Sequence, residues 1–314
     1  MIWREHMPLR DVAWFRTGGV STAYAACPDV ASVLAAVTEA KMQSLLFRVI
    51  GAGSGLLMSD SGFPGLIVHN QSQSLVFIHD RSQVIVDAGM PLHQLLAQTL
   101  SQGYGGLEFL AGIPGTVGGA VYGNVTAFGS QFGDYVKSAT LLFPETTGDE
   151  AIQRVEGAWF EFGYRESKLK RYRQTRDSAF EPVVLTVTLQ LSKMNHASCV
   201  HRVQGFHNLR RAAGLPSDIH PLLEVFDCLR WAHKQSEVSH LTHPRHLDQP
   251  VHFVDKSLHK QWKLNDVVVA SDNPNYIINT KVGTSRDAAL LIEKVCTTSG
   301  LDIEPTIEFV GVWQ

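Results

Sequence analysis

Apolar side chains at Val30, Val33, Leu34 and Val37 within DVASVLAAVTEAKM (29–42) have the spacing of one helix face, and Asp29 stands where a helix cap is expected. LLFRVIGAG (45–53) then reads as a buried strand running into a glycine turn. GLIVHN (65–70), SLVFIHD (74–80) and SQVIVDAG (82–89) predict further strands. PLHQLLAQTLSQG (91–103) predicts a helix with Pro91 near its first turn and Gly103 as its stop. ATLLFP (139–144) and PVVLTVTLQL (182–191) complete the strand signals, so residues 1–192 read as an α+β body with mixed strands and few helices.

The pattern weakens after about residue 194. VQGFHNLRRAAGLP (203–216) looks helical, and alternation returns in NDVVVASDNPNYIIN (265–279). SRDAALLIEKVCTTSG (285–300) predicts a helix with Ala289, Ile292, Val295 and Cys296 on one face, ending at Gly300. IEPTIEFVGVW (303–313) predicts a closing strand.

Composition narrows the function classes. Hydrophobic residues at 44% and charged residues at 18% fit a globular protein, and a formal charge of -3 gives no general attraction to nucleic acid or anionic membrane. The start MIWREHMPLR lacks the apolar core of a secretory signal, and no apolar run approaches the ~20 residues of a membrane span. Cys27, Cys199, Cys228 and Cys296 lie far apart without a CxxC pair, so reduced thiols and a cytoplasmic setting are expected. His240, His243 and His246 share a short spacing, but Pro244 interrupts them and no Cys or acidic pattern joins them, so no metal site is assigned.

Two glycine-rich turns carry the candidate chemistry. One is Gly51-Ala52-Gly53-Ser54-Gly55-Leu56; the other is Gly112-Ile113-Pro114-Gly115-Thr116-Val117-Gly118-Gly119-Ala120, followed by Asn124 and Gly129. Glycine admits positive φ and close backbone approach, and successive turn N–H groups form a concave nest for phosphate oxygens. Two such turns suit the pyrophosphate of a dinucleotide such as FAD. The first turn is not the GxGxxG fingerprint opening a helix, because LLMSDSGFPG after it lacks a helical period.

At these residues the sequence resembles the UDP-N-acetylenolpyruvoylglucosamine reductase family. The matching blocks are Trp14-Phe15-Arg16-Thr17-Gly18-Gly19, GAGSGLLMSDSGFPGLIV (51–68), LEFLAGIPGTVGGAVYGNVTAFG (107–129), FGYRESKLK (162–170) and the segment 274–311. The resemblance implies an α+β fold: a two-part FAD-binding module of the vanillyl-alcohol-oxidase type (1–72 and 73–194), followed by a smaller, shortened substrate-binding domain (195–314). It implies NADPH as reductant, a nucleotide-sugar enolpyruvyl ether as substrate, UDP-N-acetylmuramate as product for peptidoglycan, and a monomer. Arg165 would hold the charge developing on the substrate carboxylate, with Tyr164, Ser167 and Lys170 completing the YRxSxxK pattern around the substrate.

The chain departs from the family at its proton donor. No GSxFKNP block is present; Val251-His252-Phe253 is the nearest by order, which makes His252 the candidate donor. Thr306 replaces the glutamate of the family's LEPEV. If 303–313 is a strand, Glu304 and Glu308 share its face and are the candidate carboxylates. The open alternatives are an FAD-binding protein of the same fold with another substrate or with no catalytic activity.

Overall fold

A computed structural model describes residues 1–146, 148–175, 181–212, 222–224, 262–271, 273, 275–299 and 305–313. Six helices among the described residues are labelled α1 (Val30–Met42), α2 (Leu92–Ser101), α3 (Val117–Tyr122), α4 (Lys168–Thr175), α5 (His196–Ala212) and α6 (Ser285–Ser299). The chain divides into two compact units. One holds Met1–Glu5, Ala23–Ala52 and Gly65–His207; the other holds His6–Thr22, Gly53–Pro64 and Asn208–Gln314. A linear reading cuts the chain at 72 and 194, whereas these units exchange the chain several times before residue 65.

In the first unit, a five-stranded sheet runs in the order Ile152–Glu156, Val136–Leu142, Val183–Gln190, Gln83–Asp87, Leu75–Ile78, and each of its pairings is antiparallel. Alternating inward residues such as Val84, Val86, Val187 and Leu189 bury against Leu95 of α2 and Val117 and Val121 of α3. Phe47–Ile50 pairs in parallel with the Phe63–Asn70 strand. Asp29 caps α1 by accepting the Ser32 N–H at 2.7 Å, and Val33, Ala36, Val37 and Ala40 form the buried stripe. Gly103 follows α2 with φ 73°, as a helix stop requires. α5 starts earlier than its apolar pattern suggests, because Asn195 Oδ1 accepts the Ser198 N–H at 2.8 Å.

In the second unit, Leu222–Glu224, Tyr276–Asn279, Val267–Val269 and Lys263–Leu264 form an antiparallel sheet in that order. Asp60 accepts the N–H groups of Ser285 and Arg286 at 3.0 and 2.8 Å and fixes the start of α6. With that start fixed, the buried stripe is Ala288, Leu291, Ile292 and Val295; it excludes the expected Ala289 and leaves Cys296 only partly buried at its edge.

The expected strand over 303–313 is shorter than its alternation implies. Among the described residues 305–313, only Glu308–Val310 is strand, paired in parallel with Leu56–Met58. Pairing opens where Gly55 O accepts the Glu308 N–H at 3.0 Å; Thr306 and Ile307 before it form a bend. Among the described residues, no helix is long and apolar enough to cross a membrane.

Candidate functional site

The second glycine block is stitched to the end of strand Gln83–Asp87. Gly118 N–H donates to Ala88 O at 2.8 Å, Val117 N–H to Met90 O at 2.9 Å, and Gly115 O accepts the Leu92 N–H at 3.0 Å. Thr116 caps α3, its Oγ1 accepting the Gly119 N–H at 3.5 Å. These bonds occupy the first N–H groups of α3, so a candidate anion site here rests on the loop before the helix. Gly112 and Gly115 shape that loop with φ 75° and 134°. Ile113 is half-buried against the core and Pro114 is exposed; Ala120 is buried on the inner face of α3.

Adjacent glycines do opposite work here. A Cβ on Gly118 would lie 3.1 Å from both Ala88 Cβ and Ala88 O, so the residue is needed for packing. Gly119 is exposed, and a Cβ there would meet only Thr116 Oγ1, at 3.7 Å. Gly129 (φ 77°) is also exposed, with nothing within 4 Å of an added Cβ. A Cβ on Gly51 would lie 2.1 Å from Thr116 Oγ1, so the start of the first turn closes directly on the second block.

Of the first turn, Gly51 and Ala52 belong to this unit, while Gly53, Ser54, Gly55 and Leu56 belong to the other. There Gly53 takes φ 68°, its carbonyl accepts the Leu56 N–H at 3.3 Å, and a Cβ on Gly55 would meet nothing within 4 Å.

Tyr164 and Arg165 form the tip of a tight turn closed by reciprocal bonds between Gly163 and Glu166, at 3.0 and 3.2 Å. Arg165 takes φ 50°, a left-handed conformation that costs a non-glycine residue about 1–3 kcal/mol and needs support from its surroundings. Ser167 and Lys170, expected beside the substrate, supply that support. Ser167 is fully buried; its hydroxyl donates to Tyr122 O at 2.6 Å and accepts the Lys170 N–H at 3.3 Å. Lys170, also buried, donates from Nζ to Arg165 O at 3.3 Å and lies 4.0 Å from the Glu166 carboxylate. Below the turn, the Arg171 hydrogen bond, aided by Lys168, holds the Glu161 carboxyl below its ordinary range.

Asn124, expected among the cofactor contacts, is fully buried with its side chain turned into the protein. Arg48 is a residue the sequence reading passed over. It is 9% exposed, ion-paired with Glu181, and its guanidinium lies 5.9 Å from the Tyr122 ring centre. A lone arginine inside the apolar run LLFRVI was the available signal. His252 and Glu304 lie outside the described residues. Glu308 is half-buried at the first position of its strand in the second unit. Because the strand starts there, the face expected to join residues 304, 306 and 308 is not formed at Thr306.

Residues 21–148 match the FAD binding domain family model. The UDP-N-acetylenolpyruvoylglucosamine reductase of Gloeobacter violaceus is 30% identical over 303 residues, covering 95% of this chain and 92% of its own length. That of Anoxybacillus flavithermus is 29% identical over 84% of this chain and 80% of its own. The crystal structure of UDP-N-acetylenolpyruvylglucosamine reductase (MurB) from Thermus caldophilus superposes with a TM-score of 0.74 at 22% identity, covering 98% of this chain and all of that one. The fold is therefore the expected α+β arrangement built on an FAD-binding module.

Proposed function

The chain belongs to the UDP-N-acetylenolpyruvoylglucosamine reductase family, and we propose that it reduces the enolpyruvyl ether of UDP-N-acetylglucosamine to UDP-N-acetylmuramate, with FAD as cofactor and NADPH as reductant. The observation that carries this reading is the closure of Gly51 on Thr116 beside the exposed Gly119, a backbone cradle that side chains would fill. The residues present fit the cofactor: in the first unit Gly51, Ala52, Gly112–Thr116, Gly119 and Gly129 would hold its pyrophosphate side. When bound, FAD relays hydride from NADPH to the ether's double bond.

The protein's own task is to manage charge and protons. Arg165 presents a fork-shaped guanidinium to the substrate carboxylate, where negative charge grows as hydride adds. Tyr164 shares the turn tip and lines the same approach. A proton must then reach the α-carbon; His252 is the proposed donor, with Glu304 or Glu308 as the carboxylate that keeps it charged. The protein works as a cytoplasmic monomer on a nucleotide sugar, feeding peptidoglycan synthesis. Thr306 in place of the family's glutamate favours a second reading, in which the same fold serves another substrate or none.

A two-stage anaerobic absorbance experiment tests this. NADPH should bleach the flavin band of the FAD-loaded protein, and the enolpyruvyl ether should restore it with formation of UDP-N-acetylmuramate. Bleaching without recovery supports the second reading; no flavin band after incubation with FAD overturns both.

A further inference from the structure

We propose that Asn124 is a positioning residue that sets the place of Arg165 relative to the cofactor cradle, an inference that rests on the reductase reading above. Every polar group of Asn124 is engaged inside the protein. Nδ2 donates to Gly163 O at 2.6 Å and to Gln131 Oε1 at 3.0 Å, and Oδ1 accepts the Gly133 N–H at 2.8 Å. Its backbone carbonyl accepts the Thr126 hydroxyl at 2.7 Å. Only one orientation of the amide satisfies this set, because a flipped group would oppose oxygen to two acceptors and NH2 to an N–H. Asn124 also takes φ 41°, a left-handed conformation that asparagine tolerates better than most residues.

The bond to Gly163 O lands at the base of the turn that carries Tyr164 and Arg165. A second strut lies beside it, Ser167 Oγ on Tyr122 O. Tyr122 is the last residue of α3, and Asn124 follows two positions later. The start of α3 bears Gly118 and Gly119, which close and edge the cofactor cradle. At about 1.5 Å per residue, this six-residue helix is a rigid spacer of roughly 9 Å, with the cradle at one end and the arginine turn at the other. Asn124 transmits that spacing to Arg165 without touching either ligand.

The test is Asn124→Asp, which keeps the size, the tolerance for left-handed φ and the acceptor for Gly133, but sets a carboxylate oxygen against Gly163 O. Displacement of a catalytic group by about 1 Å costs roughly 10²-fold. Reoxidation of the flavin band by the enolpyruvyl ether should therefore slow by about that factor, with a lowered kcat, while FAD titration and bleaching by NADPH stay parental. Ser167→Ala, a milder change on the second strut, should shift the same half-reaction in the same direction and carries the test if the Asp variant does not fold. Parental reoxidation in both variants, or equal loss of FAD binding and reoxidation, overturns the inference alone. A parent protein that binds FAD but is inert toward the ether overturns the reductase reading and this inference with it.

Discussion

Glycine positions that face into the protein and glycine positions that face outward require that residue for different reasons. Gly118 and Gly51 face protein: Ala88 and Thr116 occupy the space a side chain would need. Gly119 and Gly129 face outward, where an added Cβ would meet little or nothing. The first pair is held by packing; the second has open space beside it, which the proposed reading fills with the cofactor. One residue type thus encodes both closure and access, and sequence alone cannot tell which glycine does which.

Substitution separates the two sides. Gly51→Val should have the largest effect, because its Cβ would lie 2.1 Å from Thr116 Oγ1; overpacking of this severity costs about 3 kcal/mol. Chemical denaturation of the FAD-free protein measures it, and pairing Gly51→Ala with Thr116→Ala should recover part of the loss. Gly118→Val meets Ala88 at 3.1 Å and should cost about 2 kcal/mol of stability, with FAD affinity per folded molecule close to parental. Gly119→Val should do the reverse: stability changes by less than about 0.5 kcal/mol, while FAD affinity falls about tenfold or more. If Gly118→Val and Gly119→Val give the same ratio of stability loss to affinity loss, the distinction between the two sides is lost.

Asp87, at the strand end that seats Gly118, gives the smallest effect. Burial raises its carboxyl above the ordinary value of 3.8, opposed by the Ser74 N–H that donates to it at 2.9 Å. A carboxyl raised in the folded state contributes stability that is fully present below 3.8 and lost as pH rises through the folded value. Asp87→Asn removes that loss, so its stability relative to the parent should improve on going from acid to neutral pH, with FAD affinity unchanged. Parallel stability–pH curves for the two proteins would place the cost elsewhere.

Local pattern made several elements legible: the Asp29 cap of α1, the run 182–191 as a strand, and Gly103 after α2. Positions fixed by distant partners were not legible. The face of α6 depends on Asp60, far away in sequence, and the strand at Glu308 begins only where Gly55 offers a carbonyl. The YRxSxxK spacing falls on a single turn but could not separate Arg165 at its tip from Ser167 and Lys170 beneath it. That difference is one of burial, and it arises from Tyr122 and Asn124 on another element.

The parallel pairing of Leu56–Met58 with Glu308–Val310 has a consequence for how the protein is made. Ser59 Oγ donates to Val312 O, a contact between residues 253 positions apart. During synthesis from the N-terminus, residues 53–64 leave the ribosome long before their partners exist. The second unit is therefore completed only after its final strand emerges, while the sheet and helices of the first can form from chain already released. Its early segment must wait with unpaired strand edge and apolar Leu57 exposed, which makes this stretch a natural client for a chaperone during the interval.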